Sequence, residues 1–110
     1  MGASKTDKFT EAQNEISILF KALGHPARIA IIQHLMNAKS CICNDLVGIL
    51  PLSQATISQH LRELKDAGII KGTIEGTSVC YCLNSNVFDT MSDKLQEFKT
   101  LDQKNTKECC

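Results

Sequence analysis

A change of hydrophobic period at Gly68 constrains this chain more than any other feature of its sequence. Ahead of Gly68, Ile57, Leu61 and Leu64 recur at i, i+4 and i+7, which lines one side of a helix. Ser53 stands where such a helix is capped, and Gly68 falls just past its last turn, where a left-handed residue ends helices. Beyond it, residues 69–74 and 78–83 are β-rich runs separated by Glu75-Gly76-Thr77, a hairpin signature containing glycine. A capped helix therefore runs straight into a β-hairpin.

The rest of the chain builds around that unit. Phe9, Ala12, Ile16, Leu19, Phe20 and Leu23 form a first helical stripe, with Thr10 or a neighbour as cap and Gly24 as stop. Pro26 suits the first position of a second helix, whose stripe is Ile29, Ile32, Leu35 and Met36 and which ends near residues 37–39. Residues 40–43 fit a brief strand. A short helix over 45–50 follows, with Asp45 at its positive end and Pro51 as its stop. Two helices joined by a tight turn make a helix-turn-helix. A last helix, capped by Asn84 or Ser85, carries Phe88, Met91, Leu95, Phe98 and Leu101, a stripe richer than the small remaining core can absorb. The expected fold is mainly α with a small β-hairpin wing, a winged helix-turn-helix over residues 9–101. Residues 1–8 are expected to be a disordered start and 102–110 a flexible, cysteine-ending tail.

A chain of 110 residues, 43% apolar, forms one small domain that would gain from packing helices against a second copy. Lysine plus arginine equals aspartate plus glutamate at 12 each, so composition alone does not announce a nucleic-acid binder. Six cysteines raise the question of a stapled secreted domain. Residues 1–9 lack the apolar stretch of a signal peptide, and no apolar run approaches the roughly 20 residues of a membrane span. The expectation is a cytoplasmic protein with no membrane association, whose clustered cysteines do metal or redox chemistry. No Cys-x-x-Cys, βαβ context or Cys–His spacing supports an enzyme.

Any case for DNA must come from local geometry. With Ile57, Leu61 and Leu64 inward, Ala55, Gln59 and Arg62 face outward, flanked by Thr56 and Ser58. Ser53 and Gln54 lie at the N-terminal end, which helix-turn-helix proteins direct at base edges. Glutamine and arginine can pair with adenine and guanine, and Ala55 can approach a thymine methyl. Lys65, Lys71 and Thr77 extend the candidate surface into the wing. Its cations Arg62, Lys65 and Lys71 are balanced by Glu63, Asp66 and Glu75. Phosphate contacts would therefore lean on helix ends and hydroxyls as well, with a shallow salt dependence. His60, beside the buried stripe, reads as a packing or hydrogen-bonding residue.

The order of elements, with Ala22-Leu23-Gly24-His25-Pro26-Ala27-Arg28 opening the second helix, resembles the ArsR/SmtB family of winged-helix repressors. The most specific stretch, residues 52–68 (LSQATISQHLRELKDAG), is similar to that family's recognition helix and turn into the wing. The resemblance spans roughly residues 18–83. It implies a homodimer joined by the first and last helices, bound to a palindromic operator in double-stranded DNA and released by an inducer.

Cys41-Ile42-Cys43 lies where many arsenic, cadmium and lead sensors of that family carry Cys-x-Cys. Here Asn44 intervenes before Asp45-Leu46, and Val47 stands where a third cysteine often follows. The ligand assignment therefore does not transfer directly, and Cys43 can also be read as a small buried hydrophobe. Cys80 and Cys82 form a second pair on one face of the second wing strand, with Val79, Tyr81 and Leu83 on the other. The expected strand at 40–43 joins the sheet beside it, so Cys41, Cys43, Cys80 and Cys82 would supply up to four thiolates. Such soft ligands select As(III), Cd(II), Zn(II) or Cu(I) as inducer, with no obligatory cofactor. Cys109 and Cys110 would be a further ligand source or a reactive appendage. The family's zinc site on the last helix has no counterpart, since no histidine follows His60. Two mechanisms remain open: capture of a soft metal or metalloid, and oxidation of the same cysteines.

Overall fold

Four helices and a three-stranded sheet make up the computed structural model, which describes residues 8–38, 42–43, 50–75 and 78–104. Helix α1 (Glu11–Leu23) starts at a capping box: Gln13 N–H donates to Thr10 Oγ1 at 3.1 Å, and Thr10 N–H donates back to Gln13 Oε1 at 3.0 Å. The box leaves Phe9 outside the helix and 58% exposed, so the first stripe begins later than the spacing implied. Helix α2 (Pro26–Ala38) buries Ile31, Ile32 and Leu35. Ile29 and Met36, expected in the buried stripe, are exposed instead, because α2 turns Arg28, Ile31, Ile32 and Leu35 inward at i, i+3, i+4 and i+7.

Strand β1 (Ile42–Cys43) occupies the end of the expected 40–43 strand. Of the expected helix over 45–50, residues 45–49 lie outside the described residues. Helix α3 (Gln54–Asp66) begins at Ser53, whose Oγ accepts from Thr56 N–H at 3.2 Å. Beyond its last turn Gly68 adopts φ +82°, a left-handed conformation that side chains disfavour, and Ile69 N–H reaches back to the Leu64 carbonyl at 3.0 Å. That turn sends the chain into strands β2 (Ile70–Glu75) and β3 (Ser78–Leu83).

β3 is the central strand of an antiparallel sheet ordered β1-β3-β2. Asn84 ties the sheet's exit to its entry: its side-chain amide donates to the Gly68 carbonyl at 2.9 Å and its backbone N–H to the Ile69 carbonyl at 3.0 Å. Helix α4 (Ser85–Lys104) follows. It runs three residues past Leu101, since Asp102, Gln103 and Lys104 contain no helix-stopping glycine or proline. One core joins Ala22, Ile31, Ile32, Leu35, Ile57, Leu61, Leu64, Ile69 and Ile70. No helix among the described residues is long and apolar enough to cross a membrane.

Candidate nucleic-acid interface and cysteine site

Helix α3 is anchored on one side and bare on the other. Ile57, His60, Leu61 and Leu64 are buried, while Gln54, Ala55, Thr56, Ser58, Gln59, Arg62 and Lys65 are all exposed, as is the cap Ser53. The first turn is tightened by its own hydroxyls, since Ser53 Oγ also donates to Thr56 Oγ1 at 3.0 Å. Gln59 Nε2 donates to Glu63 Oε1 at 3.0 Å one turn on, which fixes its amide along the helix surface.

The anchor of α3 includes a polar cluster that the sequence did not single out as a unit. His60 is 8% exposed, its ring centroid 4.4 Å from that of His25. Arg28 Nε–H donates to His60 Nδ1 at 3.0 Å, and its Nη1 donates to the Ala22 carbonyl at 2.9 Å. An imidazole that accepts at Nδ1 is neutral and carries its proton on Nε2. Burial above all, then the neighbouring His25 and Arg28, holds His60 below the usual histidine range; Glu63 opposes them more weakly. The signal available in sequence was Arg28 in the first turn of α2, but its partner lies 32 residues away.

The sheet sorts the remaining candidates by face. Along β3, Tyr81 and Leu83 pack against the core, whereas Cys80, 1% exposed, lies outside that cluster. Pairing places Gly72 across from Tyr81 and Ile70 across from Leu83, so these four share the face toward α3. Lys71 pairs with Cys82 and Thr73 with Cys80, on the opposite face. Lys71, expected as a DNA contact on the wing, therefore shares a face with the cysteines.

Cys43 stands directly across from Cys80, and Ile42 across from Tyr81. The ladder thus brings one cysteine of each Cys-x-Cys pair together. Cys80 and Cys82 are both engaged in disulfide bonds. Among the described residues no group of three or more His, Cys, Asp and Glu side chains is arranged to hold a metal ion. Thr77, Cys41, Cys109 and Cys110 lie outside the described residues.

On the side facing the sheet, α3 and β3 enclose a cleft of about 410 Å³ lined by Ser58, Leu61, Arg62, Lys65, Asp66 and Tyr81. Gly72 leaves room for it: a Cβ there would come within 3.3 Å of Lys65 Nζ. Tyr81 is the lining residue that sequence reasoning passed over. A tyrosine among apolar strand residues, alternating with two cysteines, was the signal for it.

Comparison with known proteins agrees with this architecture. A helix-turn-helix family described as bacterial regulatory protein, arsR family, matches residues 25–71. The chain is 42% identical over 65 residues to the HTH-type transcriptional repressor SmtB of Mycobacterium tuberculosis, covering 59% of this chain and 47% of that protein. It thus spans about half the length of that relative. It is 33% identical over 89 residues to the arsenical resistance operon repressor of Staphylococcus xylosus, covering 81% of this chain and 85% of that one. Its fold is similar to the crystal structure of an ArsR family transcriptional regulator, with a TM-score of 0.77, 19% identity and coverage of 89% and 100%.

Proposed function

This chain belongs to the arsR family of bacterial regulatory proteins, and we propose that it is a DNA-binding transcriptional repressor released from its operator by chemistry at the cysteines of β1 and β3. The observation that carries the reading is α3: its apolar side is consumed by the core, and its free side offers hydroxyls, amides and cations. Gln54, Ala55, Ser58 and Gln59 are the base-facing set, and Arg62 and Lys65 contact backbone phosphates.

The operator is palindromic because the repressor is a homodimer built on α1 and α4. Phe20 and Leu23 of α1 and Phe88, Met91 and Leu95 of α4 line one groove, and Ile18, Leu95, Phe98 and Leu101 are more than half exposed. Apolar surface of that extent on terminal helices fits a second copy. The protein works in the cytoplasm, where DNA is reached.

The inducer is a soft metal or metalloid: As(III) first, given the name of the Staphylococcus xylosus relative, with Cd(II), Zn(II) and Cu(I) as alternatives. The pairing of Cys43 with Cys80 supports it. A second reading, oxidation of the same thiols, is favoured by the disulfides at Cys80 and Cys82.

The test is to select a palindromic duplex from a random library, then titrate the complex anaerobically with arsenite under excess non-thiol reductant, following fluorescence anisotropy. Release at about one arsenite per site, lost in Cys80→Ser, supports metalloid induction. Release by diamide alone, reversed by reductant, supports the redox mechanism. Failure to enrich any duplex sinks the repressor reading.

A further inference from the structure

We infer that the cleft between α3 and β3 seats a DNA backbone phosphate on Arg62, Lys65 and the Tyr81 hydroxyl, and that Tyr81 links the cysteine site to DNA. The inference rests on the repressor reading above and names a contact and a route that the reading lacks.

The cleft has the chemistry of a phosphate seat. Arg62 and Lys65 supply charged donors, and Ser58 and Tyr81 supply hydroxyls, around a volume of about 410 Å³. Arg62, Lys65 and the Tyr81 hydroxyl have no hydrogen-bond or ion-pair partner among the described residues; the carboxylate of Asp66, also in the lining, pairs with neither cation. Gly72 is what lets Lys65 lie over the strand beside Tyr81: the Lys65 Cδ, Cε and Nζ atoms all pass within 3.5 Å of where a Cβ would sit. The cleft also has the right address. Ser58, Arg62 and Lys65 recur at i, i+4 and i+7, so they form the edge of α3 that looks at the wing. A DNA strand whose bases meet the first turns of α3 would run along that edge.

The link follows from the geometry of a strand. Tyr81 sits between Cys80 and Cys82, and successive side chains point to opposite faces. The cysteines therefore act on one side of β3 while the phenol faces the cleft on the other. Tyr81 also stands in register between Ile42, the neighbour of Cys43, and Gly72, the residue under Lys65. A shift of β3 that follows a change at the sulfurs moves the phenol with no intervening residue. When diamide is the oxidant, each pair of thiols gives up two electrons and two protons, forming one S–S bond and reducing the azo bond to a hydrazine.

The experiment measures operator affinity of wild type, Tyr81→Phe and Lys65→Gln, each fully reduced and diamide-oxidised, across a range of salt. Where the seat is formed, as it is with Cys80 and Cys82 in disulfides, Tyr81→Phe should weaken binding roughly tenfold with the salt slope unchanged, since a neutral donor to a charged oxygen is lost and no cation is removed. Lys65→Gln should weaken binding and shrink the slope by about one. The cost of Tyr81→Phe should differ between the reduced and the oxidised protein, because a change at the sulfurs moves the phenol. Tyr81→Phe equal to wild type in both states overturns the seat, and an equal loss in both states overturns the link. Wild type that binds no operator fails the repressor reading itself, a result separable from these because it appears before any variant is made. Phenylalanine keeps the ring that packs on the core, and an unchanged thermal melt verifies the fold.

Discussion

Helices α3 and α4 carry apolar stripes of similar spacing, and the protein treats them in opposite ways. In 13 residues α3 buries Ile57, His60, Leu61 and Leu64. In 20 residues α4 has Met91 as its buried hydrophobic, while Leu95, Phe98 and Leu101 stay 54%, 51% and 59% exposed. The difference separates two kinds of working surface. A helix whose stripe is satisfied inside the protomer can present a polar outer face to a polar partner. A helix whose stripe is unsatisfied is itself an apolar surface awaiting cover. The same periodicity therefore means anchorage in one helix and association in the other.

The largest effect that would test this contrast lies at Leu64, which is 0% exposed. Leu64→Ala should destabilise the domain by about 2–5 kcal/mol, a large part of the roughly 5–15 kcal/mol that holds a domain together. Urea denaturation at fixed protein concentration measures it. A loss well under 1 kcal/mol would mean that α3 is not anchored as described. On α4 the expected loss is in association rather than in the fold. Leu95→Ala and Phe98→Ala each forfeit about 1.5–3 kcal/mol of burial if a second copy covers them, so self-association should weaken roughly 10- to 100-fold. Sedimentation over a dilution series reads this directly, and unchanged association in both variants would remove α4 from the dimer.

How much of this was legible beforehand depended on how far apart the deciding residues lie. Thr10, Ser53, Gly24 and Gly68 were found at their positions because capping and left-handed turns are decided within a few residues. The hairpin followed from its turn, and the alternation of Cys80, Tyr81 and Cys82 followed from strand geometry alone. Which partner each face meets did not follow. Lys71 was placed on the wing by its charge, and only the pairing shows that it shares a face with Cys82. The orientation of α2 was missed at Ile29 and Met36, because several apolar positions fit a stripe and only the contact of Arg28 with Ala22 and His60 selects one. Tyr81 escaped for a related reason. Its importance lies in Lys65 and Gly72, which reach it through the fold rather than along the chain.

The smallest expected effect comes from the one polar member of the anchored stripe and is read as a function of pH. His60 in the folded protein takes up a proton less readily than a free imidazole, through burial first and then the facing His25 and Arg28, against a weaker pull from Glu63. Above about pH 6.5, the ordinary histidine value, both folded and unfolded chains carry a neutral His60, and its contribution to stability is fully present. As pH falls below that value the unfolded chain binds the proton first, so stability drains until the pH passes the lower folded value. Protonation would also place a hydrogen on Nδ1, where Arg28 Nε–H now donates, and break the contact that ties α3 to α2. Melting temperatures should therefore fall between pH 7.5 and 5, and His60→Gln should flatten that part of the profile at some cost in stability at neutral pH. Self-association of α4, with no such imidazole among Leu95, Phe98 and Leu101, should change far less over the same range. A variant whose pH profile parallels wild type would show that His60 does not set the acid limit of the α3 anchor.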